Sequence, residues 1–213
     1  MKIIVTCGPA YAPIDEVRRI TNFATGEIGA ILSELLTGAD NKVTCFRGEG
    51  STHPFASSQV DLKSFATNED LLKNLRELHG NADAIFHAAA LSDFAVSSIQ
   101  AEGEELKKSG KIPSLAASVL LHLTPAPKIL PQLRVLFPTA KIVGWKYEMD
   151  GDRESALKKA HVQIKTCGSD ACVVNGRAYG AGFGFVTSDG PFFHFESKST
   201  LAAFCAEWLG RQK

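Results

Sequence analysis

A chain of 213 residues, 45% apolar and 22% charged, has room for one substantial core and the composition of a globular protein, which excludes disordered and fibrous classes. Lys plus Arg and Asp plus Glu each total 23, so the formal net charge is zero. A protein that neutralises many backbone phosphates carries a basic excess, so nucleic acid and anionic membranes are excluded as partners, while a small anionic ligand remains open. The 5 cysteines (Cys7, Cys45, Cys167, Cys172 and Cys205) show no paired spacing. They read as reduced, half-buried thiols, with no zinc site. The start, Met1 to Thr6, turns polar too quickly for a signal peptide, and no apolar run approaches the roughly 20 residues of a membrane span. The expectation is a cytoplasmic protein with one domain over residues 1–213.

Short apolar runs punctuate the chain: Ile3–Val5, Lys42–Phe46, Ala84–His87, Lys141–Trp145 and Ala171–Val174. The first stops at Cys7-Gly8-Pro9, as buried parallel strands do. Helical spacing lies between them. Ile28, Ile31, Leu32 and Leu35 share one face, and Leu71, Leu72, Leu75 and Leu78 another, while Asp152–Lys165 is rich in helix formers. Strands alternating with helices imply βαβ units and a parallel sheet covered on both faces. Ser97–Leu115 is polar and charged and reads as a long mobile loop. Gly182–Val186, Ser188-Asp189-Gly190 and Pro191–Glu196 read as a hairpin with an Asp-Gly turn. Ser199–Leu209 reads as a closing helix capped by Ser199. The fold class is therefore α/β: a Rossmann-like three-layer fold with a mostly parallel central sheet, a flap loop, and a C-terminal hairpin plus helix.

Several strand ends carry chemistry-bearing residues. Gly8 lies just past the first strand, where ligands bind in open parallel sheets, and reads equally as a plain tight turn. Residues 13–29 (Pro-Ile-Asp-Glu-Val-Arg-Arg-Ile-Thr-Asn-Phe-Ala-Thr-Gly-Glu-Ile-Gly) hold a charged cluster and then Thr-Gly-x-x-Gly opening a helix, whose free N–H groups suit an anion. Gly26 and Gly29 would permit close approach, yet they lie too far from the first strand for the dinucleotide fingerprint. Salt bridges of Arg18 and Arg19 and a turn capped by Asn22 are the plainer account of this segment. His87 to Phe94 ends another strand, with Ala89 and Ala90 small enough for a flat ligand and Asp93 able to accept hydrogen bonds from a base or ribose or to help hold a metal. His87 reads as a structural residue. Lys111, in Lys-Ile-Pro-Ser, stands on the loop, where a Lys is either solvated or able to neutralise phosphate charge. Lys128 begins a helix, Gly144-Trp145-Lys146 closes a strand and Asn175 closes another.

The order of Pro-Ile-Asp-x-Val-Arg-x-Ile-Thr-Asn-x-x-Thr-Gly-x-x-Gly, Ala-Ala-x-Ser-Asp-Phe, Lys-Ile-x-Ser, Pro-Lys-Ile-Leu, Gly-Trp-Lys and Val-x-Asn resembles phosphopantothenoylcysteine synthetases, the ligase half of the DNA/pantothenate metabolism flavoprotein family. The resemblance runs from Met1 to Asn175. It implies joining of 4′-phosphopantothenate to cysteine through an acyl-nucleotide, driven by CTP or ATP with Mg²⁺. It further implies a homodimer with shared sites and, without the decarboxylase half, no flavin; no residue is assigned as a metal ligand. By position, Asn22 would contact the acyl group beside Arg18, with Asp15 and Asn175 also on the substrate. Lys111 would close over the intermediate. Gly8, Gly26, Gly29, Ala89, Ala90, Asp93, Lys128, Trp145, Lys146 and Lys159 or Lys165 would hold the nucleotide. The sequence departs from the family pattern at Ala10, Ala12, Glu27, Pro113 and Gly176, and Glu27 replaces a commonly basic residue. A divergent nucleotide-binding relative without catalysis is the competing expectation. A short-chain reductase is disfavoured, because its early glycine turn and Tyr-x-x-x-Lys pair are missing.

Overall fold

The computed structural model describes residues 1–38, 41–106, 110–188, 190 and 192–211. The chain runs β1 (Lys2–Cys7), β2 (Tyr11–Pro13), β3 (Arg19–Thr21), α1 (Glu27–Leu36), β4 (Lys42–Gly48), β5 (Asp61–Phe65), α2 (Asn68–Glu77), β6 (Ala84–His87), β7 (Phe94–Ala101), β8 (Glu104–Leu106), β9 (Val119–Pro125), α3 (Leu130–Leu136), β10 (Lys141–Tyr147), α4 (Arg153–Cys167), β11 (Ala171–Asn175), β12 (Phe183–Thr187), β13 (Phe192–Phe195) and α5 (Lys198–Gly210). Every apolar run read as a buried strand is one.

The main sheet is 8-stranded, in the order β13-β12-β11-β10-β6-β1-β4-β5. Pairs from β5 through β11 are parallel, and β12 and β13 are antiparallel at one edge. From β1 the chain builds outward to β4 and β5, then returns to build β6, β10 and β11 on the other side. The order therefore reverses between β1 and β6, where α/β sheets open a ligand crevice at their carboxyl ends.

Alternation along the strands makes two cores. Ile3, Val5, Phe86 and Val143 face α1 and α5 with Leu32, Leu201 and Cys205. Ile4, Ile85 and Ile142 face α2 and α3 with Leu71, Leu75, Leu133 and Phe137. A third cluster packs Ala156, Ala160 and Ile164 of α4 on Cys172, Val174 and Val186. No helix among the described residues is long and apolar enough to cross a membrane.

Some sequence expectations need correction. Leu35 is 49% exposed, and Gly29, Ala30, Leu32, Ser33 and Leu36 form the buried face of α1. The closing helix begins at Lys198, one residue earlier than expected, and its cap lies two residues earlier, with Ser197 rather than Ser199 accepting the Thr200 N–H. α3 begins at Leu130 rather than at Lys128. The C-terminal hairpin forms as expected, although Asp189 and Pro191 lie outside the described residues. Ser97–Leu115 is not a plain loop. Its first part is the rest of β7, a turn with Glu102 and Gly103 at positive φ, and β8. Glu102, Glu104 and Glu105 are exposed in that turn and in β8 of an antiparallel sheet ordered β8-β7-β9, and 107–109 lie outside the described residues. A bulge between Val96 and Ser98 keeps both Val96 and Ile99 on the face that packs Ile112.

At the reversal point, Thr6 and His87 pair in register and their side chains hydrogen-bond, Oγ1 to Nδ1, at 2.8 Å. Burial pushes the His87 imidazole down to about 4, so it is neutral in the folded protein. Unfolding releases it to its ordinary value near 6.5, so stability from neutral His87 is complete above that pH and declines toward pH 4. His87→Gln should flatten the fall in unfolding free energy between pH 6.5 and 4 by an amount on the order of 3 kcal/mol, read from urea midpoints. An unchanged profile would show that His87 is solvated.

Gly29 seats α1 on β1, because a Cβ there would stand 2.1 Å from Cys7 Cβ. Gly29→Ala should lower stability by about 1–3 kcal/mol despite the higher helix propensity of alanine. An unchanged or raised melting temperature would mean that the helix is not so seated.

Candidate functional site

The seam between β1 and β6 continues beyond the strands. The Ala88 N–H donates to Thr6 O, the Ala90 N–H to Gly8 O and the Ala10 N–H to Ala90 O, at 2.9–3.0 Å. Thr6 Oγ1 also accepts the Ala89 N–H at 3.3 Å. The turn after β1 and the small-residue loop after β6 are thus one fixed floor, with Gly8, Ala89 and Ala90 in it.

Asn22 follows the short β2–β3 hairpin and spans onto that floor. Its Nδ2 donates to Ala90 O at 3.2 Å and to Leu91 O at 2.9 Å. Two carbonyl neighbours fix which end of the amide is nitrogen. The Oδ1 of this exposed side chain therefore presents an acceptor.

Opposite this loop stands the start of α1. Its N-cap is Gly26 at φ 80, with no side-chain cap, so the first-turn N–H groups have no partner within the helix. A Cβ on Gly8 would lie 1.8 Å from Ser51 Oγ, and one on Gly26 2.9 Å from it. Ser51 Oγ is buried and has no hydrogen-bond partner among the described residues. Two glycines, a helix N-terminus and a buried hydroxyl without a partner form a cradle suited to phosphate oxygens. Glu27 in that first turn is paired with Lys198 of α5, which holds its carboxyl below the usual range. The acid therefore stands there as half of a neutral pair.

Asp93, on the exposed rim, pairs with Lys128, and their loops are tied by Asn68. Asn68 is 2% exposed; it donates to Ser92 O at 2.8 Å and Pro127 O at 3.0 Å and accepts the Ser92 N–H at 3.1 Å. Sequence reading passed over Asn68, because Thr67-Asn-Glu-Asp70 signals only a capped helix start. It also passed over Ser51 and Lys198, which lie far along the chain from the glycines they meet.

Other expected site residues are placed differently. Lys146 and Lys159 both contact Glu148, Lys146 at 3.2 Å, and Glu148 is 9% exposed beside the end of β11. The Glu148 N–H donates to Asn175 O, and the Glu148 carbonyl would meet a Cβ on residue 176 at 2.3 Å, which accounts for glycine there. Trp145 packs into the core under α1 and α5. Lys165 is not brought to the crevice. It lies in the last turn of α4, at the amino end of the sheet, in a shallow pocket with His161, Ser169 and Ser188. Asp15 is buried, its side chain 1% exposed, and is held by Arg18 and the loop backbone rather than open to a substrate. Lys111 is exposed, next to buried Ile112. Among the described residues no group of three His, Cys, Asp or Glu is arranged to hold a metal.

Residues 1–202 match the family described as DNA/pantothenate metabolism flavoprotein C-terminal domain. The chain is 32% identical over 176 residues, 82% of its own length, to the coenzyme A biosynthesis bifunctional protein CoaBC of Thermococcus kodakarensis, and 25% identical over 174 residues to that of Methanocaldococcus jannaschii. It spans only 41% and 40% of those relatives. Among solved structures, the DNA/pantothenate metabolism flavoprotein of Streptococcus pneumoniae superposes with a TM-score of 0.88 at 22% identity, covering 100% of both chains. A Cab2 mutant in complex with phosphopantothenate-cysteine gives 0.73 at 17%, covering 99% of this chain and 88% of that one. These last two show likeness of fold. By the extent of the family match, the chain belongs to the DNA/pantothenate metabolism flavoprotein C-terminal domain family.

Proposed function

We propose that this chain joins 4′-phosphopantothenate to cysteine in coenzyme A biosynthesis, consuming a nucleoside triphosphate by way of an acyl-nucleotide. The observation that carries the reading is the cradle of Gly8, Gly26 and Ser51 facing the Asn22 loop across the strand-order reversal. An anion seat beside a fixed amide acceptor suits a carboxylate that must first become an acyl phosphate ester and then meet an amine. The relatives' description as coenzyme A biosynthesis proteins, and the product-like ligand named for Cab2, point the same way.

In this reading the triphosphate lies on the α1 N-terminus, with the base near Ala89, Ala90 and Asp93. The carboxylate oxygen attacks the α-phosphorus and pyrophosphate leaves. A Mg²⁺ brought in with the triphosphate would offset its charge. Asn22 Oδ1 accepts from the cysteine amine and aligns it on the acyl carbon. This sharpens the earlier expectation of plain contact with the acyl group, because both amide protons are already donated to Ala90 and Leu91. Lys111 supplies positive charge for the nucleotide leaving the tetrahedral centre. Lys128, Lys146 and Lys159 stand paired to acids, so an entering phosphate must compete with Asp93 or Glu148 for them.

The protein acts as a homodimer in the cytoplasm. Exposed Phe94, Val119, Leu120 and Leu123 on the β7–β9 sheet support a second copy covering that surface.

The test is incubation with phosphopantothenate, cysteine, Mg²⁺ and each of CTP and ATP, following pyrophosphate and product separately. Pyrophosphate should appear with at least one triphosphate, and its absence with both would leave the nucleotide-binding relative without catalysis. Lys111→Ala should keep pyrophosphate release in a single turnover while slowing amide formation by about 10²-fold or more. An unchanged rate would remove Lys111 from the second step.

A further inference from the structure

Asp15 is the buried acid whose role the proposed chemistry leaves unassigned. Its two oxygens are used differently. Oδ1 serves its own loop, accepting the N–H groups of Val17 at 2.9 Å and Arg18 at 2.7 Å. Oδ2 reaches across the chain: it accepts the Ile112 N–H at 3.0 Å and the Arg18 guanidinium. The same guanidinium nitrogen lies 3.4 Å from the Ile112 carbonyl. Ile112 is thus gripped at both backbone groups, by a carboxylate and by that carboxylate's own counterion. Among the described residues 110–116, the hydrogen bonds that leave the segment all end on Asp15 and Arg18.

Local turn formation requires only Oδ1. A carboxylate taken out of water at a hydrophilic surface segment, with its second oxygen spent on a residue 97 positions away, is costly unless that partner must be held. The neighbours of the two ends show what is held. Asp15 lies in the turn of the β2–β3 hairpin, whose last strand ends at Thr21, directly before Asn22. Ile112 directly follows Lys111, and its side chain packs with Val96, Ile99 and Ile14. A stiff hairpin, one carboxylate and one backbone amide therefore connect the Asn22 loop to the Lys111 segment. Four donors on one carboxylate also hold its acid form at about 2, so the grip persists across the working pH range.

We propose that Asp15 is a positioning residue, a latch that sets where Lys111 stands relative to Asn22 before any ligand binds, acting through the Ile112 backbone and touching no substrate. Its kinetic consequence rests on the ligase reading; its structural consequence does not.

Asp15→Asn keeps the size but gives one arm an NH₂ group, which must then face either the Ile112 N–H or the hairpin N–H groups, donor against donor. Hydrogen exchange of the ligand-free protein is the first readout. Peptides covering Ile112 should exchange about 10-fold faster or more in the variant, while those of β1 and β6 keep wild-type rates. Arg18→Lys, which keeps the charge but shortens the reach to the Ile112 carbonyl, should raise exchange at Ile112 by less and guards against an Asp15 variant that fails to fold. The second readout is single-turnover amide formation. Asp15→Asn should slow it about 10-fold or more with the triphosphate KM within about 2-fold, and should add nothing in a Lys111→Ala background. Unchanged exchange at Ile112 in both variants, an equal rise across β1 and β6, or losses that multiply with Lys111→Ala would each overturn the latch. If the wild type forms no product at all, the ligase reading fails, and the exchange comparison still decides the latch.

Discussion

The interaction on which the rest depends is the seam between β1 and β6. These strands pair in parallel at the point where strand order reverses, and their following turns keep pairing through Ala88, Ala90 and Ala10. In a doubly wound sheet the loops at such a point usually diverge and leave a crevice. Here they form a floor, onto which Asn22 donates through Ala90 O and Leu91 O. The neutral imidazole of His87 makes this possible. It sits 5% exposed under the seam, and with Thr6 Oγ1 it satisfies polar atoms that would otherwise be stranded in the core.

Charge at this rim is distributed as two pairs, Glu27 with Lys198 and Asp93 with Lys128, and one triad, Glu148 with Lys146 and Lys159. That arrangement explains how a chain with no net charge can offer an anion site. Lys198 and Lys128 are each held against one acid, while Lys146 and Lys159 share Glu148 and so leave one positive charge in excess there. Partly exposed pairs of this kind add little to stability, which leaves them free to rearrange. Asp15 is the exception. Its donors come largely from backbone, it is out of solvent, and it fixes geometry rather than storing charge.

Three of the places where the sequence looks atypical have surroundings that the structure describes. Glu27 reverses a charge in the first turn of α1, yet α5 returns the cation through Lys198. Gly176 leaves room for the Glu148 carbonyl. Ala10 and Ala12 are buried, at 0% and 4%, in the turn and hairpin that carry Asn22. The cation that answers Glu27 lies 171 positions away in the chain, so no reading of that segment alone could weigh it.

The sequence by itself determined the parallel strands, the helices between them, the C-terminal hairpin and the segment from Pro13 to Gly29 as the place to look. These follow from periodicity and punctuation within short windows, which local sterics and burial impose. It also held the Asn22 and Lys111 motifs in order. Only the tertiary structure decided that Asp15 belongs to the Lys111 segment, that Ser51 and Lys198 meet the glycines, that Lys165 lies at the far end of the sheet, and that most of Ser97–Leu115 lies in or beside a small antiparallel sheet. The reason is common to all four. A hydrogen bond or ion pair between residues tens of positions apart leaves no periodic trace, because which charged group meets which is fixed by the strand order and by the direction in which each helix returns.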